Sequence, residues 1–381
     1  MVDALHLSVS SDQKSILTRF PMRAKLFLLS AFAGMLSAAV YFSCGEKYPL
    51  PPAPRDQNVL PGVSDTTYIQ QYPNWEPATG YDFDHPTDVL VGNEPFIYVA
   101  DSSHDRIVML DLAGNIVGVS PPIPGPVALS QDGRLNLIIV NNTNKIYKIN
   151  LFAAHHNIAA ATVRKVYEDV DHPNRRFSAV AAWHGSESGS PYLEQWYYVT
   201  VNGPDKRDNA IYYFAPKNDS LDQLIGPINM EPNGTGMFSA ANPSGITITK
   251  NFNFATNFFD FIFVQTGQNF YKVQWITTNV YGFAIKLDPS VSPTDIFAPN
   301  KFDRPEDVTI DEQGNIFVVD AGLHRLLKFN SSGVEKHSFG EFGNGEKQFH
   351  RPMGVAYFNK TVYVADTGNH RIVRFKLSTD I

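Results

Sequence analysis

Histidine and arginine side chains stand at or next to several prolines, and these residue types could bind a metal or an anion. His85, His172, Arg304 and Arg351 directly precede a proline, and His350 lies one residue earlier. Imidazole nitrogens are ligands for transition metals. The guanidinium groups of Arg304 and Arg351 could instead hold a carboxylate or phosphate through paired hydrogen bonds. Ordinary solvated loops are the third interpretation, and the residues alone leave all three open.

A second polar pattern, Asp followed five residues later by Arg, occurs three times. The pairs are Asp101 with Arg106, Asp320 with Arg325, and Asp366 with Arg371. A short carboxylate at the end of a strand can accept backbone N–H groups of the next turn, and an arginine fork can bridge loops. Because a binding site is normally made once, the repetition favours a structural role.

The elements that position these residues form a repeat. Segments 83–112, 302–329 and 349–375 each contain an aromatic residue, a proline, two short apolar strands, the Asp and Arg pattern, and a third strand. From proline to aspartate the spacing is 15, 15 and 14 residues. Weaker copies begin near Pro126, Phe177 and Pro243. The runs between turn residues are too short for core helices and indicate β-strands.

These segments resemble the NHL repeat. The resemblance implies an all-β, six-bladed β-propeller of four-stranded antiparallel blades over residues 65–381. The sequence ends soon after the third strand of the sixth unit, so the strand-like segment 66–72 is expected to supply the fourth strand and close the ring. Such closure also removes an exposed sheet edge.

In this family the first strand of each blade runs beside the central channel, so the residues before the prolines are expected to line its mouth. Since the first, fifth and sixth blades become neighbours on closure, His85, Arg304 and His350 are expected to converge. The related amidating lyase binds zinc through His residues directly after the blade-opening proline. Those positions hold Thr87, Glu306 and Met353 here, so that activity is not predicted.

The N-terminal segment has the pattern of a targeting signal. Residues 1–43, with Met22 as the expected start, contain basic residues followed by an uncharged apolar run over 26–42. The run ends at Cys44, and Ser43-Cys44-Gly45 resembles the lipobox of bacterial lipoproteins. The resemblance implies a lipid anchor on Cys44, a proline-rich tether over 44–64 and a place in the cell envelope, facing the periplasm or exterior. An uncleaved signal anchor is the alternative.

Composition limits the function. The chain has 13% aromatic and 18% charged residues, which excludes a disordered protein. Its net charge of −7 disfavours a nucleic-acid partner. We predict no cofactor and no metal, and a membrane-anchored binding or scaffold module for a protein, peptide or glycan. The alternative is a lyase or hydrolase acting at the channel mouth.

An aromatic insert in the fourth unit has two interpretations. Phe252, Phe254, Phe258 and Phe259 lie close together. They either fill the core of a long hairpin or form an exposed rim for a partner.

Overall fold

Six antiparallel four-stranded sheets form a ring in the computed structural model, which describes residues 66–183, 194–253, 255–256, 258–279, 282–290 and 294–380. Each sheet is one blade of a six-bladed β-propeller. The predicted fold is therefore confirmed. Cys44 and the predicted signal and tether lie outside the described residues, as does Phe254.

The strands of each blade follow one another along the chain, except at the closure. Blade 1 consists of β2 (Pro86–Val91), β3 (Phe96–Asp101), β4 (Arg106–Asp111) and β5 (Ile116–Val119). Blade 2 consists of β6 (Ala128–Gln131), β7 (Asn136–Val140), β8 (Lys145–Asn150) and β9 (Val163–Glu168). Blade 3 consists of β10 (Arg176–Ala182), β11 (Tyr197–Asn202), β12 (Ala210–Pro216) and β13 (Asp222–Pro227).

The second half of the ring continues the same pattern. A short parallel pair, β14 (Glu231–Pro232) and β15 (Ser239–Ala240), precedes blade 4. Blade 4 consists of β16 (Pro243–Asn253), β17 (Phe258–Gln265), β18 (Val273–Asn279) and β19 (Gly282–Ile285). Blade 5 consists of β20 (Pro305–Ile310), β21 (Ile316–Asp320), β22 (Arg325–Phe329) and β23 (Glu335–Phe339). Blade 6 consists of β24 (Pro352–Phe358), β25 (Thr361–Asp366), β26 (Arg371–Leu377) and β1 (Tyr68–Trp75).

Helix in the described residues is limited to single 3-10 turns. These turns are Pro77–Thr79, Ser102–His104, Ile158–Ala160, Lys206–Asp208, Asp295–Phe297 and Thr367–Asn369. Among the described residues, then, no helix has the length and apolar character needed to span a membrane.

The alternation of side chains along each strand builds the core. In β3, Ile97 and Val99 pack between blades 6 and 1, whereas Tyr98 and Ala100 pack between blades 1 and 2. Successive residues of a strand point to opposite faces, so a strand with apolar residues at every position can fill two clusters. The described residues form six such clusters, one at each junction of two blades. We call these junctions seams.

The ring closes as predicted. Strand β1 pairs antiparallel with β26, with Tyr68 opposite Leu377 and Gln70 opposite Phe375. Tyr68 is buried among residues of blades 5 and 6. The beginning of the propeller therefore completes the blade made by its end.

The loop before the third strand of blade 4 is fixed by a buried amide. This strand begins at Val273, and the Asn269 side chain before it donates to the carbonyls of Gly234 and Gly236. The insert is a core hairpin: Phe258 and Phe259 pack on Trp183, and Phe252 packs on Phe259. The structure thus does not place Phe252, Phe258 and Phe259 on an exposed rim.

Candidate functional site

One end of the propeller carries the predicted site residues. In blades 1, 5 and 6 the proline that opens the first strand pairs with the aspartate that ends the second, as Pro86 does with Asp101 and Pro305 with Asp320, and in blade 4 Pro243 pairs with Gln265 in the same place. The loops before the first strands and the loops joining the second and third strands therefore lie at the same end. We call this end the upper face, and the opposite end the lower face.

The repeated aspartates hold the upper-face loops. Asp101, Asp320 and Asp366 are fully buried and accept the backbone N–H groups of Asp84, Asp303 and His350, at 2.7, 2.8 and 2.7 Å respectively. These bonds join the end of the second strand to the loop that enters the first. The geometry is that of a blade-building element.

The arginine partners differ among the three copies. The Nε atoms of Arg106 and Arg371 donate to Asp101 and Asp366 at 2.7 and 2.8 Å. Arg325 is exposed and has no side-chain partner in the described part of the chain. The carboxylate of Asp320 is already occupied by four backbone N–H groups, from Asp303, Arg304, Gly322 and Leu323. The expected third ion pair is therefore not formed.

A side-chain staple joins neighbouring blades across four seams of the upper face. The residue before the blade-opening proline donates its backbone N–H to the residue that precedes the third strand of the previous blade. The pairs are Gly125 to Asp105, Asn242 to Asn209, Arg351 to His324 and His85 to His370. All four donor residues have positive φ. The backbone N–H groups of His85 and Arg351 thus join neighbouring blades.

The expected meeting of His85, Arg304 and His350 does not occur. Nδ1 of His85 lies 2.6 Å from Asp84 Oδ1, and its ring packs on His370. The ring of His350 packs on Phe342 and lies 6.3 Å from that of His324. His172 pairs with Asp169 of its own loop at 3.0 Å. His85 is held in the staple with His370, His350 contacts Phe342 and the carbonyl of Gly368, and Arg304 contacts Glu306, so the three have separate partners.

A central channel of about 730 Å³ runs between the first strands of all six blades. Arg176 and Arg304 line it at the upper face, and neither His85 nor His350 does. Side-chain hydroxyls of Thr87, Ser178 and Ser244 donate to the proline carbonyls of the next blades. Of these, Thr87 and Ser244 directly follow a proline, so in blades 1 and 4 the position after the proline joins neighbouring blades, whereas Glu306 at that position of blade 5 contacts Arg304.

Glu306 is the buried acid of this channel mouth. Its carboxylate contacts the Nε of Arg304, while Oε1 lacks a well-aligned hydrogen bond. Burial raises the pKa of Glu306, and the positive charges of Arg304 and Arg351 oppose that shift. Arg176 and Arg351 are exposed and have no acidic side-chain partner among the described residues. Arg176 and Arg351 are therefore exposed cations at this end, whereas the acids Asp88, Glu306 and Asp307 lie in the channel wall.

Sequence reasoning missed His370, which contacts both Asp84 and His85. A signal was present, because His324 and His370 both stand directly before the arginine of their repeats. Aligning those two copies, together with the expected closure, would have placed a histidine beside the loop that contains His85.

Comparison with known proteins agrees with the fold. A family model described as NHL repeat matches residues 349–375. The chain is 34% identical over 130 residues to NHL repeat-containing protein 2 of Gallus gallus, an alignment covering 32% of this chain and 17% of that protein. The chain thus spans less than a fifth of the relative it matches. The predicted resemblance to NHL-repeat propellers is confirmed.

Solved structures with the same architecture have diverse roles. An auxiliary nutrient binding protein from Bacteroides ovatus superposes with a TM-score of 0.54 and 12% identity, over 82% of this chain and 77% of that one. A luciferin-regenerating enzyme superposes with a TM-score of 0.53 and 11% identity, over 82% and 95% of the two chains. At these identities the similarity shows the fold alone, and the site itself has to indicate the function.

Proposed function

We propose that this propeller is a binding module whose channel mouth on the upper face holds an acidic segment of a protein or peptide partner. The observation that carries the proposal is the set of arginines at the mouth. Arg176 and Arg304 line the channel, and Arg351 is close enough for its charge to act on Glu306. A carboxylate is the natural partner of a guanidinium fork, because two parallel hydrogen bonds match its geometry.

The exposed arginines at the mouth support an anionic ligand. Glu306 pairs with Arg304, whereas neither Arg176 nor Arg351 forms an ion pair among the described residues. The chain as a whole carries a net charge of −7. A local cationic mouth on an acidic protein would orient an acidic segment toward the channel during encounter.

Exposed aromatic residues on the same face provide apolar contact area. Phe270, in the loop between β17 and β18, is 83% exposed, and Phe342, in the loop before β24, is 66% exposed. Aromatic anchors next to arginines are typical of the centres of protein interfaces. A peptide at the mouth would thus find both ionic and apolar partners.

Calorimetric titration with a synthetic eight-residue glutamate-rich peptide tests this proposal, with the matching glutamine peptide as the ligand control. We expect the double variant Arg176→Gln and Arg351→Gln to lose at least roughly tenfold in affinity. Arg325→Gln, which removes another exposed and unpaired arginine of the upper face, should bind like the wild type. Equal binding of the two peptides, or equal loss in both variants, would disprove the proposal.

The alternative of a lyase or hydrolase depended on His85, His350 and Arg304 acting on one atom. His85 and His350 lie in separate seams, and Arg304 contacts Glu306. Binding therefore remains the function that the geometry supports best.

We also propose that the protein is attached to a cell-envelope membrane through lipid on Cys44. The support is the sequence: basic residues, an uncharged run and a small residue before the cysteine. Cys44→Ser should move the protein from the membrane fraction to the soluble fraction, and the intact mass of the membrane form should begin at a lipidated Cys44. An unmodified N-terminus that retains residues 22–43 would contradict this anchor.

A further inference from the structure

Ring closure brings three potential metal ligands together on the upper face. Asp84 and His85 precede the first strand of blade 1, and His370 precedes the third strand of blade 6. Oδ1 of Asp84 lies 2.6 Å from Nδ1 of His85 and 3.0 Å from Nδ1 of His370. One ligand atom from each residue lies within 4.8 Å of the others.

The staple between blades does not require this cluster. At the other three stapled seams the acceptor is a single side chain, namely Asp105, Asn209 or His324. The residue that donates its N–H to it is Gly125, Asn242 or Arg351, none of which ligates a metal through an imidazole or carboxylate. At the closing seam His370 alone would suffice for the staple. The staple does not need the imidazole of His85 or the carboxylate of Asp84.

One nitrogen of His370 has contacts on both sides of the cluster. Nδ1 of His370 accepts the backbone N–H of His85 at 3.2 Å and lies 3.0 Å from a carboxylate oxygen of Asp84. An imidazole nitrogen has a single lone pair in the ring plane, so Nδ1 cannot accept this N–H and bind a metal ion at the same time. His370 would therefore bind an ion through Nε2, or through Nδ1 with loss of the hydrogen bond from His85.

The cluster is also accessible and of suitable composition. The side chains of Asp84, His85 and His370 are 41%, 51% and 40% exposed, so an ion and its water ligands can enter. Zinc binds imidazole nitrogen and carboxylate oxygen at roughly 2.0–2.2 Å, usually with four ligands. Tetrahedral coordination requires ligand atoms about 3.3–3.5 Å apart, so the two separations from Asp84 Oδ1 need to open by less than about 1 Å.

We propose that Asp84, His85 and His370 bind a divalent transition metal ion such as Zn²⁺, with water completing the coordination, and that the ion ties blade 6 to blade 1 where the ring closes. This site lies at a seam and is independent of the arginines at the channel mouth. Because the ion would bind only the closed ring, it would stabilise the folded protein by an amount that grows with the logarithm of the free ion concentration once this exceeds the Kd.

Titration of the metal-stripped full chain with ZnCl₂ tests this site, in a Cys44→Ser background so that the thiol does not contribute. We expect one Zn²⁺ per chain and a rise in Tm on the order of 5 °C near saturation. His370→Asn is the key variant, because Asn209 shows that asparagine can accept the staple hydrogen bond at this position. It should fold with an unchanged metal-free Tm and lose roughly 100-fold in Zn²⁺ affinity.

Two further variants complete the test. His85→Asn keeps the backbone donor and tolerates positive φ, and it should lose Zn²⁺ binding to a similar extent. His324→Asn makes the same change at the seam between blades 5 and 6 and should leave Zn²⁺ binding intact. Failure of the parent chain to bind Zn²⁺ at roughly 100 µM would overturn the proposal, as would unchanged binding by His370→Asn.

Discussion

Asp88 of blade 1 accepts the backbone N–H of Leu129 in blade 2 through Oδ2, at 2.7 Å, in the wall of the central channel. Its other oxygen accepts the N–H of Val89 at 2.7 Å. Asp307 makes the equivalent bond from blade 5 to Val355 of blade 6, at 2.9 Å. Each aspartate therefore joins the first strand of its blade to the first strand of the next blade. Both carboxylates lie in the wall of the same channel, so their charges interact.

The first prediction concerns pH. Burial raises the pKa of Asp88 to about 7 and, together with the charge of Asp88, raises that of Asp307 well above its usual value. A carboxyl whose pKa is higher in the folded state takes up a proton on folding, so its stabilisation is present at low pH and is lost as the pH rises toward 7. The free energy of unfolding should therefore fall between pH 5 and 7.5 more steeply in the wild type than in Asp88→Asn.

Urea denaturation at several pH values measures how steeply the free energy of unfolding changes with pH. This slope can reach about 1.4 kcal/mol per pH unit for one proton. Glu306 and the histidines remain in both proteins, so the difference between the two slopes reports Asp88 together with the part of the Asp307 pKa shift that the charge of Asp88 causes. Identical slopes would mean that Asp88 titrates normally.

The second prediction concerns Gly354. A Cβ added there would lie 2.6 Å from the Cα of Asp88, a backbone atom that cannot move without shifting blade 1. Gly354→Ala should cost about 1–3 kcal/mol in the free energy of unfolding. Gly236, where an added Cβ has no neighbour within 4 Å, is the control and should change by less than about 0.5 kcal/mol on conversion to Ala. A Gly354→Ala protein as stable as the control would show that the blades approach less closely.

The third prediction separates two arginines with the same sequence pattern. Arg371 is buried, pairs with Asp366 and donates to the carbonyls of Asn344 and Gln348. Arg371→Ala leaves a buried carboxylate without its cation and should cost about 3–5 kcal/mol. Arg325→Ala should cost less than about 0.5 kcal/mol, because that side chain is exposed. Chemical denaturation measures the free energy of unfolding of both variants. Equal losses of stability would contradict the different structural roles of the two arginines.

The fourth prediction tests ring closure. Tyr68 is 3% exposed in β1 and its neighbour Ile69 is 36% exposed. Tyr68→Ala should destabilise the propeller by about 3 kcal/mol or more, because it empties part of the core between blades 5 and 6. Ile69→Ala should cost less than about 1 kcal/mol. If thermal unfolding shows the same small effect for both, β1 does not close blade 6 in solution.

The fold was predictable because, in the three clear repeats, a proline and an aspartate mark the ends of the strands. The proline opens the first strand, the aspartate ends the second, and the spacing between them sets the hairpin, as the pairing of Pro352 with Asp366 shows. Even the weak third unit, expected to begin near Phe177, has its first strand at Arg176–Ala182. Alternating apolar residues need neighbours on both faces, and a ring of blades supplies them.

The candidate site was less predictable because its contacts are set by individual hydrogen bonds. His85 meets His370 across 285 residues of sequence, and only the geometry of the closing seam makes them neighbours. Arg325 has the same spacing to its aspartate as Arg371, yet four N–H groups occupy Asp320 and leave no place for it. Spacing indicates which loops face one another, but competition for each carboxylate decides which side chains pair.

Cross-linking tests the proposed binding site most directly. A glutamate-rich peptide carrying one photoreactive benzoylphenylalanine is irradiated with the protein, and the attached residues are identified by mass spectrometry. The account predicts cross-links on the upper-face loops 170–176, 302–304 and 350–351, which surround the arginines of the channel mouth. Cross-links confined to the lower-face loops 92–95 and 311–315, or to the outer strands of the blades, would contradict it.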